Sequence, residues 1–303
     1  MANSHPAAHS RRILWKSQGT PDNHTDDDVF LRELRTNVNL RTYRFSEAVT
    51  GSAVLIQQIC LVIFFTTIYA FMLEGRLSAW EVITGFSVTL VALHLVYRSL
   101  TQDRLAPSRK ELHTFLVIYG FAFGISPILS TLTKSVSTDT IYSMVAGMLL
   151  ANLAVHDYGP RAMVVSQAFS LNAAFAAAVC LASRLSSPLD AFALIIAAAG
   201  IFGLWPPMRS AVKEKRPRHF VWIAPALVLA DFLLIAVISR FFAVLFVLFL
   251  AGIGLLCPAL FVYLQRYKTT IHGPWDEAVI APFDPTSTTP PPVGGTDDGP
   301  TPL

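Results

Sequence analysis

The groups able to do chemistry in this chain are few, and most lie near the ends of long apolar stretches. His156 and Asp157 stand side by side, followed by Gly159 and Pro160. An imidazole beside a carboxylate can hold a phosphate group by a hydrogen bond or through a bridging cation. The same Asp157 ahead of Gly-Pro also fits an ordinary helix-capping arrangement. Asn152 lies one helical turn before His156 on the same face, so a buried hydrogen-bonded pair is the competing expectation. A second group is basic: Arg209, Lys213, Lys215 and Arg216, with Arg218, crowd one short connection. They would attract an anionic lipid surface, and topology alone explains them as well. A third group follows Gly273-Pro274, where Trp275, Asp276 and Glu277 put an interfacial aromatic and two carboxylates at a helix start. These suit contact with lipid headgroups or a partner protein. Asp231 sits within an apolar stretch, which is expensive unless the carboxyl is paired or faces water. His94, His156 and Asp231 are too scattered to build a nucleophile or metal site at one depth. No catalytic residue, metal ligand or cofactor is therefore expected.

One further run stands out. Residues 126–144 carry Ser126, Pro127, Ser130, Thr131, Thr133, Ser135, Ser137, Thr138, Asp139 and Thr140 between two apolar segments. Pro127 removes a backbone donor and clashes with the preceding turn, which predicts that the helix entering it breaks. Backbone broken at membrane depth must be buried in protein or line a wet cavity. The hydroxyls of Ser126, Thr131 and Ser135, with Asp139 nearby, are expected to satisfy that backbone and to be gripped by other helices.

The elements that position these residues are apolar helices. Of the 303 residues, 53% are hydrophobic and 14% charged, and the mean hydropathy is +0.51. That balance excludes a soluble globule and predicts an all-α polytopic membrane bundle. Eight spans are expected, at residues 49–73, 80–97, 112–132, 141–155, 162–182, 189–208, 220–239 and 241–264. Most approach the roughly 20 apolar residues that cross a hydrocarbon core. Residues 1–48 form a polar N-terminal segment with a short amphipathic helix, marked by Asp26-Asp27-Asp28 and then Val29, Phe30, Leu31, Leu34 and Val38. The span domain covers residues 49–264, and 265–280 form a juxtamembrane segment. Residues 281–303, dominated by Pro, Thr and Gly, are expected to be disordered.

Charge supports this parse. Nineteen of the 23 basic residues fall on one side of the eight-span arrangement and four on the other, which places both termini in the cytosol. The formal net charge of +3 thus reads as topology, with no support for nucleic-acid binding. Residues 1–48 lack the apolar segment of a signal peptide, and the sequon at Asn23 is expected to stay unglycosylated. Cys60, Cys180 and Cys257 fall within spans and are expected to be free buried thiols. Gln57, Gln58, Gln167 and Asn172 are expected to join helices, and Ser170, Ala174 and Ala178 to form a small-residue stripe.

Several motifs in one order carry a resemblance. They are Leu14-Trp15-Lys16, Gly124 to Leu129, Thr140-Ile141-Tyr142, His156-Asp157-Tyr158-Gly159, Ser170-Leu171-Asn172, Cys180 to Leu185, Leu204-Trp205-Pro206 and Ile271 to Ala278. Together they resemble the PIG-C family, the multispanning C-type component of phosphatidylinositol N-acetylglucosaminyltransferase, over about residues 14–280. His24 departs from the aromatic usual there, and the tail after Ile280 is extended. The resemblance implies membership of an endoplasmic-reticulum complex that transfers N-acetylglucosamine from UDP-GlcNAc to phosphatidylinositol, the first step of GPI-anchor synthesis. It also implies that the sugar-nucleotide chemistry belongs to a separate catalytic A subunit. The residues agree, since no Gly-rich βαβ unit is legible in the polar segments. A secondary transporter would share the broken helix but should show a matching interruption in its second half. An intramembrane lipid-modifying enzyme is the other alternative.

Overall fold

The computed structural model describes residues 31–32, 34–37, 40, 42–101, 109–132, 135–158 and 164–273. The chain divides into a unit of residues 42–266 and a second unit holding residues 1–41 and 267–303.

The first unit is built from helices that correspond one to one with the expected apolar segments. They are α1 (Phe45–Leu73), α2 (Ala79–Thr101), α3 (Arg109–Leu129), α4 (Thr138–Val155), α5 (Val164–Ala182), α6 (Pro188–Lys215), α7 (Pro217–Ile238) and α8 (Arg240–Tyr267). Six of the eight are long and apolar enough to cross a membrane. In α3 and α5 the apolar stretches are shorter, Phe115–Leu129 and Ala168–Ala182. Helices apolar on every face bury one side in protein and turn the other to hydrocarbon. Accordingly α7 and α8 expose Leu229, Leu233, Val237, Phe242 and Leu248.

Helices α1 and α6 are the most buried. The main core gathers α1 through α6, with Phe65 and Phe202 edge to face at 5.3 Å between centroids. A smaller core of Ile59, Cys60, Phe246 and Leu250 joins α1 to α8, with α7 alongside. Gly254 permits the close approach here, because a Cβ at that position would lie 2.9 Å from Ile56 Cδ1. The α4–α5 pair packs most extensively, and the small-residue stripe of α5 (Ser170, Ala174, Ala178) is fully buried. Helix α6 starts with a capping box, in which Ser187 accepts from the Asp190 amide and the Asp190 carboxylate accepts from the Ser187 amide, with Pro188 at the first turn. Both α6 and α8 contain a π-helical stretch, Ala199–Leu204 and Gly252–Leu256. Each is followed closely by a proline, Pro206 and Pro258, where the missing amide is accommodated by the widened register.

Four expectations need correction. Helix α3 continues through Pro127 and ends two residues later at Leu129, so proline sits in the last turn of the helix rather than at a mid-span break. Cys257 is exposed on α8, whereas Cys60 and Cys180 are buried. Asn172 is exposed and joins no helices among the described residues. Leu31 and Arg32 are helical, but Arg35–Thr36 form a strand, so the amphipathic helix does not reach Val38. The reason is local to the second unit. Arg35–Thr36 pair antiparallel with Ile271–His272. Asn37 then adopts φ 60°, a left-handed conformation that asparagine tolerates better than most residues. Its side chain accepts from the Thr270 amide at 2.9 Å while its amide donates to the Thr270 carbonyl at 2.8 Å.

Candidate functional site

A chain of hydrogen bonds crosses the bundle where α1, α4, α5 and α6 meet. Gln58 on α1 donates to Asn152 Oδ1 on α4 at 3.0 Å. Asn152 Nδ2 donates to both the carbonyl and the hydroxyl of Ser170 on α5, each at 2.9 Å. The Ser170 hydroxyl returns its proton to the Asn152 carbonyl at 3.1 Å. His156 Nδ1 lies 3.4 Å from the same hydroxyl, and His156 Nε2 is 2.9 Å from Arg209 NH2 on α6. All but His156 are at least nine-tenths buried.

Proton bookkeeping along this chain has one solution. Arginine can only donate, so His156 Nε2 must accept and its proton sits on Nδ1, aimed at Ser170. Burial and the neighbouring Arg209 charge push the His156 pKa down to about 4. The ring is therefore neutral near pH 7. It is also stacked edge to face on Tyr158 at 5.2 Å between centroids, and the Tyr158 hydroxyl, donating to the Leu153 carbonyl, has its pKa raised to about 12 by burial. Arg209 is a charged group 5% exposed whose NH1 has no hydrogen-bond partner among the described residues. Its hydrogen-bond acceptor is neutral, and the nearby Asp157 carboxylate supplies opposing charge that offsets part of the desolvation.

The expected site residues divide clearly. His156 and Arg209 come together, with Asp157 adjoining, and the expected Asn152–His156 link runs through Ser170 rather than directly. Lys213, Lys215 and Arg216 lie at the α6–α7 junction, where Lys215 and Arg216 are exposed and Lys213 Nζ lies 5.8 Å from the Phe220 ring centroid. Trp275, Asp276 and Glu277 lie outside the described residues, as does the sequon at Asn23.

The hydroxyl run is a helix end and a helix start. Ser130 and Thr131 donate to the Pro127 and Ile128 carbonyls at 2.9 and 3.0 Å, and Ser137 caps α4 by accepting from the Thr140 amide. Ser126 is buried, whereas Thr131, Ser135 and Asp139 are exposed. Arg184, from the α5–α6 turn, donates to the Val136 carbonyl at 2.9 Å. Nothing in the spacing of the sequence announced that tie. Asp231 is 2% exposed, and its Oδ2 has no hydrogen-bond partner among the described residues.

Comparison with known proteins decides the family. The family described as phosphatidylinositol N-acetylglucosaminyltransferase matches residues 11–276. The chain belongs to this family. It is 41% identical to the C subunit of mouse phosphatidylinositol N-acetylglucosaminyltransferase over 280 residues, covering 91% of this chain and 94% of the mouse protein. The human C subunit is also 41% identical, over 89% of this chain and 92% of its own length. The GPI2 subunit of Schizosaccharomyces pombe is 30% identical over 89% and 86%. No solved structure matches. The four helices of the hydrogen-bonded chain all lie inside the matched region.

Proposed function

We propose that this chain is the multi-pass membrane subunit of a complex that transfers N-acetylglucosamine from UDP-GlcNAc to phosphatidylinositol, the first step of GPI-anchor synthesis. The observation that carries the reading is the 41% identity to the mouse and human C subunits along nearly the whole of both chains. The chain's part is to scaffold the complex and present the lipid, while the A subunit performs the sugar transfer. Its membrane is that of the endoplasmic reticulum, with eight crossings and both termini cytosolic, as the distribution of basic residues supports.

The buried network gives that role a physical form. It fastens four helices at the end that carries His156 and Arg209, which the charge distribution assigns to the cytosolic leaflet. There Arg209, steered by a neutral His156 through NH2 and with the Asp157 carboxylate nearby, adds buried positive charge to that end of the bundle. Lys213, Lys215 and Arg216 add a diffuse field of the same sign. Trp275, Asp276 and Glu277 are assigned to contact with partner subunits.

Affinity capture of the full chain in mild detergent tests this. The catalytic subunit should co-purify, and the pure chain with phosphatidylinositol should release no UDP from UDP-GlcNAc. Turnover by the pure chain would overturn the assignment of catalysis to its partner.

A further inference from the structure

Helices α2 and α3 follow one another in the chain, yet each leans on α6. They meet through long side chains: Ser87 Oγ and Tyr119 OH at 2.9 Å, and the His94 and Phe115 rings at 6.0 Å. Between them, floored by α6 and edged by α5, lies a cavity of about 910 Å³. Its body is apolar, with Phe121, Ile125, Phe175, Val179 and Ile196 among the lining residues. Phe121 is 69% exposed, so the cavity is a groove open to the side that faces hydrocarbon.

Charge is confined to one end. A Cβ at Gly200 would touch Phe86 and Leu90 at 3.2 and 3.3 Å, which is where α2 seats on α6. About two helical turns further along each helix, roughly 12 Å at the helical rise, come Arg98 on α2 and Met208 on α6, both lining the groove. His94 and Tyr97 line it on the same stretch of α2. No acidic residue lines the groove among the described residues. An apolar body with a cationic, aromatic mouth is complementary to a lipid with an anionic headgroup. Ligand pockets of roughly 300–1,000 Å³ are common.

We infer that the α2–α3–α6 groove binds one diacyl glycerophospholipid with an anionic headgroup, its acyl chains in the apolar body and its phosphate at the Arg98 mouth. The identification of that lipid with phosphatidylinositol rests on the proposed function above. The π-helical stretch of α6 shapes the floor, since Gly203 lines the groove and a Cβ there would meet nothing within 4 Å.

The test uses microsomes holding the full chain in its complex and phosphatidylinositol bearing a photoactivatable group in an acyl chain, with adducts mapped by mass spectrometry. Adducts should concentrate at Phe121, Ile125 and Val179, at least tenfold above equally lipid-facing positions such as Leu233 and Leu248. Gly203→Leu, whose Cβ meets nothing within 4 Å, should lower groove labelling about tenfold and leave labelling of α7 and α8 unchanged. Ala199→Leu should act in the same direction. A phosphatidylcholine probe should label the groove less. Even labelling over all exposed helices would show ordinary solvation by lipid and overturn the inference, as would undiminished labelling of both variants or equal labelling by the two probes. Capture of the catalytic subunit, scored in the same preparation, reports separately on the proposed function.

Discussion

Arg209 depends on His156 being neutral, and that dependence has a measurable pH signature. A folded-state His pKa of about 4, against an ordinary value of 6.5, means that the folded protein binds fewer protons than the unfolded chain between these limits. The stability from this group is present above pH 6.5 and is lost progressively as pH falls toward 4. Thermal unfolding of the detergent-solubilised chain should therefore show a midpoint that drops across this window. His156→Gln, which keeps an acceptor for Arg209 but does not titrate, should flatten the drop, and an unchanged slope would dissociate His156 from it. Asn152 and Gln57 offer a contrast on neighbouring helices. Asn152→Leu leaves the Gln58 amide and the Ser170 groups short of a partner, at about 1–3 kcal/mol. Gln57 is buried with neither amide atom partnered among the described residues, so Gln57→Leu should be neutral or stabilising. The unfolding midpoints of the two variants, or their yields of folded protein, check the order.

At the scale of elements, Gly254 sets how near α8 comes to α1. Gly254→Leu would drive a side chain into Ile56, and overpacking of this kind costs about 1–3 kcal/mol. Its expected result is a lower unfolding midpoint with the α4–α5 side intact, read by protection of those helices from proteolysis. The positions of all the apolar helices were legible in the sequence, because a run of about 20 apolar residues has no other stable form in a bilayer. One departure lies at Pro127, which was given too much weight. Pro127 falls in the last turn of α3, where losing one hydrogen bond is cheap, and nearby hydroxyls bond the final carbonyls. Pro206 and Pro258 pass inside helices because π turns absorb them. Of the candidate site, His156 and Arg209 were both singled out by type. Their meeting was not legible, since 53 residues separate them and no periodicity links α4 to α6. The groove was equally invisible, because it arises from two sequential helices leaning on a third.

For the whole molecule, the distribution of basic residues supports the proposed arrangement with both termini cytosolic. Protease protection of intact microsomes should leave both termini digestible, and Asn23 should carry no glycan; a glycan there would invert the topology and place His156 and Arg209 on the wrong leaflet for a cytosolic sugar donor. A bundle that organises a transferase without performing the transfer should be required for activity and inactive alone. The most direct measurement is transfer of N-acetylglucosamine from UDP-GlcNAc to phosphatidylinositol in microsomes from cells lacking this chain, with and without its re-expression. The account predicts no transfer in its absence and restored transfer on re-expression. Undiminished transfer without the chain would contradict it.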